Sequence, residues 1–112
     1  MMTLKTFESY AELKKNLMDL LIDSMKSPIS IMLSGGKTPY ETYNEIAKVK
    51  PKIHEKCRFF LSDERYVARD STKNNAFNLS NMLFELQCNK NFVPVNTSLE
   101  INHACIDYSE KI

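Results

Sequence analysis

Ile29-Ser30-Ile31-Met32-Leu33-Ser34-Gly35-Gly36-Lys37-Thr38-Pro39-Tyr40-Glu41 is the stretch on which the fold turns. Its apolar residues Ile29, Ile31, Met32 and Leu33 make a run too short for a helix, bounded by Pro28 and Gly35, and this predicts a buried strand. Ser34 to Lys37 reads as a tight turn. Thr38-Pro39-Tyr40-Glu41 then combines an N-cap, a proline at the first helical position and a capping-box glutamate. A helix is expected from there to about Lys48, with Tyr40, Tyr43 and Ile46 on its inner face, until Val49-Lys50-Pro51 breaks it.

The same reading extends in both directions. Upstream, Ser9-x-x-Glu12 is a capping box, and Tyr10, Leu13, Leu17, Leu20 and Leu21 follow at helical spacing to about Met25. Downstream, Cys57, Phe59, Phe60 and Leu61 make a second strand that ends at Ser62-Asp63-Glu64-Arg65, and a polar loop runs on to Asn75. Leu79, Met82, Leu83 and Leu86 mark a third helix. Phe92-Val93-Pro94-Val95 holds a proline and is an edge strand or extended connection at best, before a last helix marked by Ala104, Cys105, Tyr108 and Ile112. Alternating strands and helices give an α/β fold, a three-layer Rossmann-like parallel sheet with helices on both faces. Parallel strands place the loop at Ser34 to Thr38 and the loop at Asp63 to Arg65 on one carboxyl edge, where open sheets of this kind bind ligands.

Composition narrows the partners. Hydrophobic residues at 43% and charged residues at 26% are globular values, and 112 residues make one domain's worth of chain. Fifteen basic and fourteen acidic residues give a net charge of +1, so no nucleic acid and no anionic membrane is expected as a partner. The N-terminus lacks the apolar core of a signal peptide and no apolar run reaches membrane-spanning length, which points to the cytoplasm. Cys57, Cys88 and Cys105 are odd in number and far apart, without histidines at ligand spacing, so buried thiols and no metal are expected.

The glycine turn can hold an anion. A helix N-terminus presents unpaired N–H groups and roughly half a positive charge, Gly35 and Gly36 let the backbone approach closely, and Lys37 and Thr38 add a charge and a hydroxyl. An ordinary turn with glycines for tightness alone is an equal reading of this segment by itself. The chain's two glycines exclude both better-known phosphate loops. The leading glycine of G-x-x-x-x-G-K-S/T would fall at Ile31, and G-x-G-x-x-G needs three glycines. A monophosphate site remains. In the second loop, Arg65 suits a phosphate or carboxylate and Asp63 suits sugar hydroxyls, against the plain alternative of a solvated charged triplet.

Leu33-Ser34-Gly35-Gly36-Lys37-Thr38-Pro39, then Ser62-Asp63-Glu64-Arg65-Tyr66-Val67, then Asn75, together resemble the 6-phosphogluconolactonase family in order and spacing, from about Ser9 onward. Asn74 stands where serine is usual. The related glucosamine-6-phosphate deaminases or isomerases carry a tyrosine where Arg65 stands, which favours the lactonase. The resemblance implies a phosphorylated sugar lactone as substrate, 6-phospho-D-glucono-1,5-lactone, hydrolysed to 6-phosphogluconate in the pentose phosphate pathway with no cofactor. It implies substrate contacts from Ser34, Gly35, Gly36, Lys37, Thr38, Asp63, Glu64, Arg65 and Asn75.

The family's general-base histidine lies in a G-x-D-G-H segment that this sequence does not contain, and His54 and His103 are expected at the surface. Residues 1–112 therefore read as a single partial domain, the N-terminal half of a sugar-phosphate lactonase or isomerase, truncated and inactive alone. A non-catalytic sugar-phosphate-binding remnant is the other reading. A half sheet is expected to leave an unpaired edge open to self-association.

Overall fold

The computed structural model describes residues 4–112. Helix α1 spans Tyr10–Met25, and the Ser9 hydroxyl oxygen accepts the Glu12 N–H at 3.1 Å, as the capping box predicts. The face it buries differs from the expected one. Leu17, Met18, Leu21, Ile22 and Met25 turn to the core, whereas Leu13 and Leu20 are exposed. Two steps of four lead from Leu17 through Leu21 to Met25, with Met18 and Ile22 beside them, and this stripe is the one that meets the next helix. Leu13 and Leu20 instead line a shallow surface groove with Phe7. Tyr10 sits at the wet rim, where its hydroxyl donates to Glu41 Oε2 at 2.8 Å.

Strands β1 (Ser30–Leu33) and β2 (Arg58–Leu61) pair in parallel, Ser30 opposite Arg58 and Leu33 opposite Leu61. Helix α2 (Lys37–Val49) joins them and ends at Lys50, whose φ of 54° is left-handed. Helix α3 (Asn75–Glu85), a 3-10 turn at Asn89–Asn91 and helix α4 (Ile101–Lys111) follow. Side chains alternate across a strand. Phe59 and Leu61 join Leu33, Tyr43, Ile46 and Leu79 in one core beneath α1, α2 and α3. Phe60 faces the other way and meets Tyr108 of α4 edge to face, with ring centroids 6.4 Å apart. Helices thus lie on both faces of the sheet.

β1 is less buried than its apolar run suggests. Only Leu33 is fully covered, and Met32 is 54% exposed. The reason is its position: β1 is the outer strand, and α4 covers the Phe60 face without reaching over Met32. The other edge, beside β2, is closed. Phe92 forms an isolated parallel bridge with Phe59, and the Val93 N–H donates to the Phe59 carbonyl at 2.9 Å, so this segment is the extended connection its proline predicts. Past Pro94, the Tyr108 hydroxyl accepts the Leu61 N–H at 2.7 Å and donates to the Leu61 carbonyl at 2.9 Å. One side chain stands in for the next rung of a ladder.

Cys57 and Cys88 are buried thiols as expected, but Cys105 is exposed, because only Ala104 on its turn of α4 points to the protein. Burial pushes the Cys88 thiol up from 9.0 to about 11 and raises Tyr43 and Tyr108 as well. Such groups hold their protons more tightly folded than unfolded, so their contribution is complete below the unfolded value and is lost as pH climbs through the folded one. Cys88 alone should lower unfolding stability by about 2 kcal/mol between about pH 8 and about pH 11. Urea melts at the two pH values check this, and Cys88→Ala should reduce the difference by about that amount, leaving the part due to Tyr43 and Tyr108.

Candidate functional site

The turn after β1 enters α2 earlier than the capping box indicates. Gly36, at φ 122°, is the N-cap and offers no side-chain hydrogen bond; Lys37, Thr38 and Pro39 are the first three helical residues. A positive φ is inexpensive only for glycine, which lets the chain turn into the helix two residues before Thr38. Proline is tolerated there because first-turn N–H groups have no intrahelical acceptor. Thr38 is therefore not the cap, and Glu41 accepts from Tyr10 rather than reaching back to the turn. The Lys37 and Thr38 N–H groups remain at the open end of a thirteen-residue helix. Behind the turn, the Tyr43 hydroxyl donates to the Ser34 carbonyl at 2.8 Å, and burial raises the Tyr43 phenol, partly offset by this bond.

The loop after β2 is built around a carboxylate. Glu64 Oε1 accepts the N–H groups of Arg65, at 2.8 Å, and Asn75, while Oε2 accepts the Ala76 N–H at 2.9 Å. Asn74 Oδ1 accepts the next helical N–H, from Phe77, at 2.9 Å. Every early donor of α3 is thus met by these two side chains. Asparagine serves as the cap as well as serine would, but its amide nitrogen is buried without a partner, a cost of roughly 1–3 kcal/mol that serine would not carry. Asp63 and Arg65, on either side of Glu64, are exposed.

Asn75 ties the two loops together. Its Oδ1 accepts from the Tyr40 hydroxyl at 2.6 Å, and its Nδ2 donates to the Asp63 carbonyl at 3.0 Å. Gly35 lies against this junction: a Cβ there would stand 2.6 Å from Asn75 Oδ1 and 2.7 Å from the Tyr40 hydroxyl. Strand order placed Ser34 to Thr38 and Asp63 to Arg65 at one sheet edge, resemblance added Asn75, and the two loops do meet. Sequence reasoning missed Tyr40, assigned only to the helix's inner face. Among the described residues neither Lys37 nor Arg65 enters an ion pair.

The histidines lie elsewhere. His54 occupies the turn before β2, where its Nδ1 accepts the Lys56 N–H at 3.0 Å, and exposed His103 sits on the first turn of α4. Among the described residues no group of three or more His, Cys, Asp or Glu side chains is placed to hold a metal ion. A groove of about 690 Å³ lies apart from the glycine turn, lined by Arg69, Pro94, Thr97 and Lys111 among others.

The fold is thus a parallel α/β sheet whose one edge carries a glycine-led helix start and a charged second loop. Residues 6–112 match the family described as glucosamine-6-phosphate isomerases/6-phosphogluconolactonase, and the chain belongs to that family. It is 40% identical over 92 residues to a 6-phosphogluconolactonase of Thermotoga maritima, covering 78% of this chain and 40% of that protein. It is 31% identical over 88 residues to the bifunctional glucose-6-phosphate 1-dehydrogenase/6-phosphogluconolactonase of Plasmodium falciparum, covering 75% of this chain and 10% of that one. The crystal structure of devB protein superposes with a TM-score of 0.83 at 24% identity, over 96% of this chain and 48% of its own, a likeness of fold. The chain spans about half or less of the length of these proteins.

Gly35→Ala should lower stability by about 1–3 kcal/mol, since the new methyl must displace the Tyr40 to Asn75 hydrogen bond or the turn itself. Thermal melts of the two proteins measure it, and an unchanged Tm would show that the junction yields freely.

Proposed function

We propose that this chain forms the phosphate-gripping part of a 6-phosphogluconolactonase, a partial domain that acts on 6-phospho-D-glucono-1,5-lactone when the remainder of the family's domain completes the site. The observation that carries this reading is the contrast between two helix starts on one edge. The first turn of α3 is filled by Glu64 and Asn74, whereas that of α2 has only glycine as its cap, with Lys37 and Thr38 beside it. An anion is favoured at the open one.

In this reading the phosphate lies on the N–H groups of Gly36, Lys37 and Thr38, with the Lys37 ammonium and Thr38 hydroxyl supporting it. Gly35 and Ser34 shape the approach. Asp63 accepts sugar hydroxyls, and Arg65 pairs with phosphate or with the carboxylate formed as the lactone opens. Hydrolysis needs a base to draw a proton from water as its oxygen attacks the lactone carbonyl, and donors for the oxyanion. Neither histidine stands on the two loops, so the general-base histidine that the family resemblance implies would come from outside these residues. Arg65, where the deaminases have tyrosine, supports lactonase over amino-sugar chemistry. The enzyme would work in the cytoplasm; no helix among the described residues is long and apolar enough to cross a membrane.

Titrating the 15N-labelled chain with 6-phosphogluconate should shift the amides of Gly35 to Thr38 and of Arg65 above all others. Arg65→Ala should weaken the binding by about 1.5–3 kcal/mol, the worth of a charge-assisted pair. Shifts confined to other surfaces would remove the glycine turn from the site. A second measurement addresses the chemistry. The chain alone should hydrolyse the lactone no faster than water does, because losing general-base catalysis alone forfeits about 10²- to 10⁴-fold. Turnover by the isolated chain at the rate of a full-length relative would show that the base lies within these residues after all.

A further inference from the structure

Glu64 and Asn75 belong to the motifs that resemblance assigns to substrate contact, yet their side chains are already committed. The Glu64 carboxylate accepts from three backbone N–H groups, those of Arg65, Asn75 and Ala76, two of them at the start of an eleven-residue helix. A carboxylate so occupied has little capacity left for a sugar hydroxyl, and its charge opposes a phosphate beside it. Asn75 is 6% exposed and bonded at both ends, to the Tyr40 hydroxyl and to the Asp63 carbonyl. Lys37, Arg65 and Asp63, by contrast, are exposed.

We propose that Glu64, Asn75 and Tyr40 are positioning residues: they clamp the loop after β2 to the turn after β1, and neither Glu64 nor Asn75 touches the ligand. This rests on the phosphate-gripping reading above. Each contact fixes a different joint. Glu64 folds its loop back onto α3, so that its neighbours Asp63 and Arg65 project outward. Asn75 holds the Asp63 carbonyl on one side and, through the Tyr40 hydroxyl, helix α2 on the other. Gly35 has no room for a side chain because this junction presses against it. The clamp thereby sets the spacing between the cationic Lys37 side and the Asp63 to Arg65 side, which a phosphorylated sugar acid must span. A ligand gripped at two points depends on that spacing, since a misplacement of about 1 Å at a site can cost on the order of 10²-fold.

Tyr40→Phe removes one hydroxyl from the clamp and is the test variant. Ser9→Ala, which removes the α1 cap far from the site, is the control for general loss of stability. Without ligand, amide exchange at Arg65 and Asn75 should quicken about fivefold or more relative to Phe59 in Tyr40→Phe, and this ratio should hold in Ser9→Ala. With 6-phosphogluconate as probe, affinity should fall about fivefold or more in Tyr40→Phe and stay unchanged in Ser9→Ala. Should Tyr40→Phe not fold, Glu64→Gln gives the same two readouts, because its amide can no longer accept all three N–H groups. Unchanged loop exchange, or unchanged affinity in a folded variant, overturns the clamp. Failure of the unsubstituted chain to bind the probe overturns the functional reading instead, while the exchange arm still decides whether the loops are clamped.

Discussion

Two strands paired in parallel cannot be joined by a hairpin; the chain must return to its starting end, and between β1 and β2 it does so through α2. That constraint orders everything else at the site. It sends both strand-end loops to one edge, where Ser34 to Thr38 and Asp63 to Arg65 stand side by side. It also directs the start of α2, and with it a positive dipole end, at the same edge, with α3 beginning beside it. An antiparallel pair of the same strands would have placed the two motifs at opposite ends of the sheet.

The sheet's two edges are treated differently. Beside β2, Val93 and the Tyr108 hydroxyl take up backbone groups that a further strand would otherwise pair. Beside β1, the ladder to β2 uses the groups of Ile29 and Leu33, and alternation turns those of Ser30 and Met32 outward. Met32 is also exposed on the face that α4 leaves uncovered, and Ile29 and Ile106 are exposed as well. Parallel sheets are ordinarily covered on both faces. The β1 edge is thus the open one.

Much of this was legible in sequence because the signals are local. Pro28, the glycine pair and Pro51 punctuate the β1 to α2 unit, and the serine half of the Ser9-x-x-Glu12 box caps α1. What failed depended on contacts between elements. Thr38-Pro39-Tyr40-Glu41 spells a helix start, but the freedom of Gly36 to take a φ of 122° moves it upstream, and that freedom is not encoded in a cap pattern. Leu13 and Leu20 have the same spacing as the buried stripe and lose to it because of where α2 happens to lie. The burial of β1 was overestimated since an apolar run does not reveal whether a strand stands at an edge. Among the candidate site residues, type and position could be read, but not direction: nothing in Asp63-Glu64-Arg65 says that the middle carboxylate turns back onto α3 while its neighbours face outward.

That inward turn explains how one short edge can hold an acidic motif and still suit an anion. Glutamate near a phosphate is ordinarily unfavourable, yet Glu64 spends its charge on backbone N–H groups at the start of α3, where a helix N-terminus favours an acidic side chain. The two helix starts are thereby made unequal. One is neutralised from within the chain, and the other has only glycine as its cap. All of this is assembled from a contiguous β1-α2-β2-α3 segment whose loops bond directly to one another. Both loops and both helix starts are thus fixed against one another by residues of β1 to α3 alone.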